Sequence, residues 1–182
     1  MIKDTVKQAF QELFPEPELV AEEVAPPAPE DDEAEGDKKK KAAKKEEPRA
    51  NGVIERDYAA HGYDIDVQLD PDLLQLAVSI LDRNGFFIES ITGVDWIKED
   101  QLEVIYDFCR YDFDRCRVVI RTRTSRKEPK VPTISNIYSG ANWHERETHD
   151  FFGIKFEGHP HLIPLLLPED ADFHPLLKDF KP

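Results

Sequence analysis

Tyr63-Asp64-Ile65-Asp66-Val67-Gln68-Leu69 alternates apolar and polar side chains and runs directly into Asp70-Pro71. Alternation with period two marks a strand with one buried face. Asp followed by Pro is a helix start, with the carboxylate at the N-cap and the ring at the first helical position. Leu73, Leu74, Ala77, Val78 and Leu81 then recur at helical spacing, and Asn84-Gly85 ends the run. A strand followed by an amphipathic helix therefore opens the folded part of the chain, which begins near Val53.

Working downstream, strands are expected at 86–94, 101–109 and 115–124, separated by charged turns at 97–100 and 110–114. Short turns make an antiparallel meander, and the helix must cover one of its faces. The expected fold class is α+β: a two-layer, mainly antiparallel sheet covered by helices over 52–157, followed by an extended Pro-rich C-terminal tail over 158–182. Arg115, Arg117, Arg121, Arg123 and Arg126 give the last strand a basic outer face. We read it as a solvated edge that resists aggregation, with a docking strip for an acidic partner as the alternative. If Asp112-Phe113 is a two-residue turn, Cys109 stands opposite Cys116, although a reducing compartment favours free thiols. With two cysteines in all, the chain cannot hold a usual iron–sulfur cluster by itself.

Working upstream, Ile2, Val6, Phe10, Leu13 and Phe14 are spaced for a short helix over 1–14, which Pro15 and Pro17 end. Such a helix is marginal alone, so it either docks or frays. Residues 15–51 hold Pro26-Pro27-Ala28-Pro29, an acidic block over 30–37 and lysines at 38–41, 44 and 45, the composition of a disordered, solvated charged linker. A net charge of −14 argues against nucleic acid or an anionic membrane as the direct partner. No apolar run approaches the roughly 18 residues of a spanning helix. Met1-Ile2-Lys3-Asp4 lacks the apolar core of a signal peptide, so the expected location is cytoplasmic.

The stretch from Trp143 to Phe180 breaks the pattern. Asn142 is placed to cap a helix, Glu145 follows as in a loose capping box, and Gly153 supplies a left-handed stop. Arg146 and Asp150 stand four apart and can pair, while Trp143, Glu147 and Phe151 form another stripe. His144-Glu145 invites a zinc reading, but His149 is five residues on, rotated by roughly 140° from the position a metalloprotease helix needs. Beyond Gly153, Pro160, Pro164, Pro168, Pro175 and Pro182 exclude long helices and sheet interiors. Yet Leu162, Ile163, Leu165, Leu166, Leu167, Phe173, Leu176, Leu177 and Phe180 are too apolar to hang in water. The tail is expected to lie on a partner protein, or else over the chain's own sheet.

Glu145-Arg146-Glu147, Asp150, Phe152-Gly153-Ile154, Phe156, Gly158-His159-Pro160, Leu167-Pro168, Asp170, His174-Pro175-Leu176 and Lys178-Asp179-Phe180 together resemble the signature of the NuoC-type (thirty-kilodalton) subunit of respiratory complex I, the NADH:quinone oxidoreductase. Related subunits occur in energy-converting nickel–iron hydrogenases. The resemblance is specific over 143–180, loose over 60–142 and does not reach 1–50. Where the complex I pattern usually has basic residues, this chain has Ile163-Pro164 and Leu177, which leaves room for the hydrogenase branch.

The resemblance implies a structural subunit in the hydrophilic arm of a complex I-like membrane oxidoreductase. Such a subunit docks on the large, NuoD-like or hydrogenase-type subunit and supports electron transfer coupled to ion translocation. It implies no catalytic residue, cofactor or metal on this chain. Fe–S clusters, and on the hydrogenase branch a NiFe centre, would reside in partner subunits. The location implied is peripheral, on the cytoplasmic side of the cell membrane and touching it only through the complex. The interface and structural residues implied are Glu145, Arg146, Glu147, Asp150, Phe152, Gly153, His159, Pro160, Pro168, Asp170, His174, Pro175, Lys178 and Asp179, with Glu145, Arg146, Glu147 and Asp150 in buried ion pairs near the junction.

Two readings from other classes stay open. Five of the six histidines (144, 149, 159, 161 and 174) lie in the last forty residues, as a self-contained hydrolase using His149, His159 and nearby carboxylates would require. Stoichiometric zinc on the isolated chain would favour it. The third reading, an adaptor unconnected with electron transfer, is separated only by identifying the bound partner.

Overall fold

The computed structural model describes residues 1–14, 51–112 and 114–181, so nearly all of the 15–51 linker lies outside the described residues. Five strands form the main sheet: β1 (Gly52–Glu55), β2 (Ile65–Leu69), β3 (Phe87–Trp96), β4 (Gln101–Arg110) and β5 (Cys116–Ser125), in the order β1-β2-β5-β4-β3. The meander β3–β4–β5 is antiparallel as the sequence predicts, but β2 runs parallel to β5. β5 is thus central and not an edge. Alternation reveals which side chains share a face and says nothing about which strands are neighbours.

The arginine row is explained by this position. Arg117 Nε donates to Asp107 at 2.9 Å, Arg121 Nε to Asp66 at 3.0 Å and Arg123 Nε to Glu103 at 3.2 Å. Asp66 and Glu103 are buried beneath their partners. Arg123 also lies over the Trp96 ring, 4.5 Å from its centroid. The acids come from the strands on both sides of β5, so the row is a charge ladder internal to the sheet. The opposite face of β5 presents Val118 and Ile120, which join Ile65, Val67, Leu102, Val104, Tyr106 and Phe108 in the core.

Helices cover that apolar face. In α3 (Leu74–Arg83), Leu74, Ala77, Val78 and Leu81 are fully buried. The helix is entered by a 3-10 turn over Pro71–Leu73, and the Asp70 carboxylate accepts from Asn51 Nδ2 at 2.6 Å without capping it. The N-terminal segment docks: α1 (Ile2–Gln11) buries Val6 and Phe10 in the core, and Lys3 and Lys7 reach Glu55 of β1. Each large apolar side chain buried this way contributes about 1.5–3 kcal/mol, which a ten-residue helix needs in order to persist. A single turn, α2 (Tyr58–His61), escapes the sequence reading because it has no apolar period; Asp57 caps it and Gly62 ends it at φ 80°.

The cysteine register is also corrected. Cys109 pairs with Arg117 and Arg110 with Cys116, so residues 111–115 form the connection and the two thiols point to opposite faces. Both cysteines are free and buried.

Past the sheet, β6 (Lys130–Pro132) pairs in parallel with β7 (Lys155–Glu157), and α4 (Ala141–Phe152) lies between them in sequence. Residues 134–138 form a turn, Tyr138 N donating to Ile134 O at 2.9 Å. α4 packs on β3 where Gly93 gives it room. A Cβ at that position would fall 2.4 Å from the Phe152 ring.

Candidate docking site

α4 begins at Ala141 with Gly140 in the capping position and no side-chain cap. Asn142 is therefore inside the helix, and Glu145 makes no capping box. Glu145 instead turns inward and is fully buried, accepting from Ile134 N at 2.7 Å and from the Thr133 hydroxyl. Burial pushes its carboxyl up to about 7, against the pull of those two donors. His159 Nε2 lies 3.9 Å from its Oε2 and donates to Asn142 O at 3.3 Å. Its Nδ1 accepts from His161 N at 3.0 Å, which puts the proton of the neutral ring on Nε2. Desolvation lowers the His159 pKa, so this contact is not an ion pair at neutral pH.

Arg146 and Asp150 share a helical face but do not bond each other. Arg146 donates through Nε to Ile163 O at 3.0 Å and through Nη2 to Pro164 O at 2.9 Å. Asp150 Oδ2 accepts the backbone N–H groups of Leu165, Leu166 and Leu167 at 2.8, 2.7 and 3.2 Å. Burial works to raise the Asp150 pKa, but these three amides outweigh it and hold the carboxyl below its ordinary range. The expected i,i+4 pair is absent because the tail offers both charges better-fixed partners.

Further along, His174 Nδ1 donates to Asp150 O at 2.8 Å, and its ring covers Gly153, which ends α4 at φ 75°. A Cβ at Gly153 would fall 2.6 Å from His174 Nε2. Leu176 N donates to Phe151 O at 3.2 Å. Lys178 N donates to Asp95 Oδ2 at 2.8 Å, and Arg126 bridges Asp95 and Asp179. The tail is thus fastened to its own domain at three places, through its main chain for the most part. Leu162 and Leu177 pack against the core.

Large apolar side chains remain outside among the charged ones. Trp143 of α4 and Ile163, Leu166, Phe173 and Leu176 of the tail are 60%, 42%, 60%, 41% and 53% exposed. Phe173 stacks on Phe180 with centroids 5.5 Å apart, and Arg146 crosses the Trp143 ring at 5.2 Å. Among the sequence-predicted residues, Arg146, Asp150, Gly153, His174 and Pro175 gather along α4 and the tail, and Lys178 and Asp179 at the end of β3. Glu145 and His159 form a separate buried contact, and Phe152 sits on Gly93. Pro160, Pro168 and Asp170 are exposed, and Glu147 is half-buried.

Sequence reasoning missed Asp95 and Thr133, and took Arg126 for part of the basic strand face, not for the bridge between Asp95 and Asp179. Asp95 carried a signal: it falls on the face of β3 that holds Ile91 and Gly93, so a buried carboxylate had to find partners there. His149, His159 and His174 are held by main chain, His149 donating through Nδ1 to Ile154 O at 2.9 Å. Among the described residues, no group of three or more His, Cys, Asp and Glu side chains is arranged to hold a metal ion. No helix among them is long and apolar enough to cross a membrane.

This fold and tail have known counterparts. The family model of the respiratory-chain NADH dehydrogenase 30 Kd subunit matches residues 67–182, more than half of the chain, and the chain belongs to that family. It is 44% identical over 94 residues to a subunit of the NADH-quinone oxidoreductase of Roseiflexus castenholzii, covering 51% of this chain and 53% of that one. It is 39% identical over 93 residues to a subunit of the F(420)H(2) dehydrogenase of Methanosarcina mazei, covering 50% of this chain and 58% of that one. The alignments thus span little more than half the length of these relatives. Among solved structures, a chain of the membrane-bound sulfane sulfur reductase, an archaeal respiratory membrane complex, matches with a TM-score of 0.58 and 28% identity over 64% of this chain and 71% of that one.

Proposed function

We propose that this chain is a non-catalytic docking subunit in the hydrophilic arm of a complex I-like membrane oxidoreductase. Its tail and α4 meet the large, NuoD-like subunit, and neighbouring subunits hold the Fe–S clusters. The chain supports electron transfer coupled to ion translocation by holding that junction together, peripheral to the membrane and on its cytoplasmic side. The observation that carries this reading is the exposure of Trp143 on α4 and of Ile163, Leu166, Phe173 and Leu176 on the tail. Five large apolar side chains left exposed on one helix and the segment fastened to it are a feature that a protein interface uses.

The reading assigns the predicted residues to two tasks. Glu147, Pro160, Pro168 and Asp170 face outward and line the junction. Glu145, Arg146, Asp150, Phe152, Gly153, His159, His174, Pro175, Lys178 and Asp179 hold the surface in shape from within, in place of the intersubunit ion pairs that the resemblance implied.

The test is co-expression with the large subunit of the same complex. The double variant Leu166→Glu/Phe173→Glu should fold with an unchanged melting temperature and lose co-purification. Retained co-purification would overturn the docking reading. A second reading, the equivalent subunit of an energy-converting hydrogenase-type complex, is supported by Ile163-Pro164 and Leu177. Four nickel-binding cysteines in the co-purifying large subunit would favour it.

A further inference from the structure

Two charged residues of α4, Arg146 and Asp150, are spent inside the chain. Arg146 has two donors on carbonyls of the tail, and Asp150 has three tail amides on one oxygen. Both partners are backbone groups of a segment, 163–167, that has no secondary-structure ladder of its own. Pro164 within it and Pro168 directly after it restrict its unbound conformations. Successive N–H groups converging on one carboxylate form a nest that fixes the local turn. The side chains this turn projects include Ile163 and Leu166, both exposed. The turn that follows, 168–172, carries Glu169, Asp170 and Asp172 in the open, between Leu166 and Phe173.

We propose that Arg146 and Asp150 are positioning residues that cast the tail as a preformed ridge, and that the partner surface it fits is an apolar groove with a cationic rim. The inference rests on the docking reading for its partner, but the order it assigns to the tail belongs to the isolated chain. A partner then meets a surface already shaped, and the cost of ordering an extended segment is not charged to binding. The three carboxylates of the 168–172 turn meet basic residues at the groove's edge, which raises the association rate and makes it salt-sensitive.

The test uses the full chain and the purified large subunit of its complex. Hydrogen exchange on the isolated chain is measured for wild type, Asp150→Asn and Arg146→Gln. In both variants the amides of Leu165, Leu166 and Leu167 should exchange at least tenfold faster, while those of β4 and β5 stay protected. Affinity for the large subunit should fall about tenfold in the same variants, through slower association or faster release. Glu169→Gln/Asp172→Asn should slow association and weaken its salt dependence without changing exchange. Unchanged exchange at 165–167 in both positioning variants, or a loosened tail that binds as tightly as wild type, overturns the proposal. Salt-independent association overturns the cationic rim. A wild-type chain that does not bind the large subunit while Asp150→Asn still loosens the tail overturns the docking reading and leaves the ordering role of Asp150 standing.

Discussion

Glu145 is a fully buried carboxyl with two donors, one backbone N–H and one hydroxyl. Around it lie the neutral imidazole of His159 and the buried phenol of Tyr106, whose own pKa burial and the Glu145 charge push upward. None of these supplies a full positive charge, so desolvation dominates and lifts the carboxyl from 4.5 to about 7. Between those two values the folded chain holds a proton that the unfolded chain has released. The contribution is fully present below about 4.5 and is lost as pH rises through about 7, a change of about 3 kcal/mol. His159, with its lowered pKa, acts in the opposite sense below 6.5, so the comparison must isolate the carboxyl. Urea denaturation of wild type and Glu145→Gln across pH 4–8 should show the difference in stability drifting toward the variant by about that amount. A constant difference across the range would contradict this protonation. In the sequence, Glu145 looks like a capping residue because capping is a local pattern. That Thr133 and Ile134 would come to meet it depends on a crossing of chain segments that no local spacing encodes.

Elements were the most legible scale. The strands over 86–124 and the helix after Pro71 are found within a residue or two of their predicted bounds, because each carries its own period and its own stop. Their neighbours were not legible. β2 could have joined either edge of the meander, and the sequence contains no hairpin turn to decide between them. Once β5 is central, Arg117, Arg121 and Arg123 have acids on both flanks and the reading of a solvated edge fails. A connection longer than the assumed two-residue turn shifts Cys109 away from Cys116 in the same way. The α4–β3 contact is set by one absent methyl group, with Gly93 directly under Phe152. Gly93→Ala should force the helix outward and cost about 1–3 kcal/mol in urea denaturation, with near-ultraviolet circular dichroism altered and far-ultraviolet circular dichroism kept. An unchanged midpoint would mean that α4 is not seated as described.

At the scale of the whole molecule, the sequence correctly located the segment that needs an explanation. A proline-broken, leucine-rich tail cannot close a core of its own. It did not reveal that α4 and Asp95 hold backbone groups of the tail, and Arg126 its Asp179 carboxylate, while a fraction of its side chains is left outside. Backbone anchoring with side-chain exposure gives a chain that is ordered alone and incomplete alone. The pattern is legible only once the anchors, which come from three separate elements, are assembled.

The most direct test is photo-crosslinking in the assembled complex, with a benzoylphenylalanine introduced at position 166 in place of Leu166, which is 60% exposed in the free chain. The account predicts an efficient crosslink to the large subunit, with the same probe at the exposed Leu76 of α3 giving none to that subunit. A probe at 166 that reacts only with its own chain or with solvent, in a complex that is otherwise intact, would contradict it.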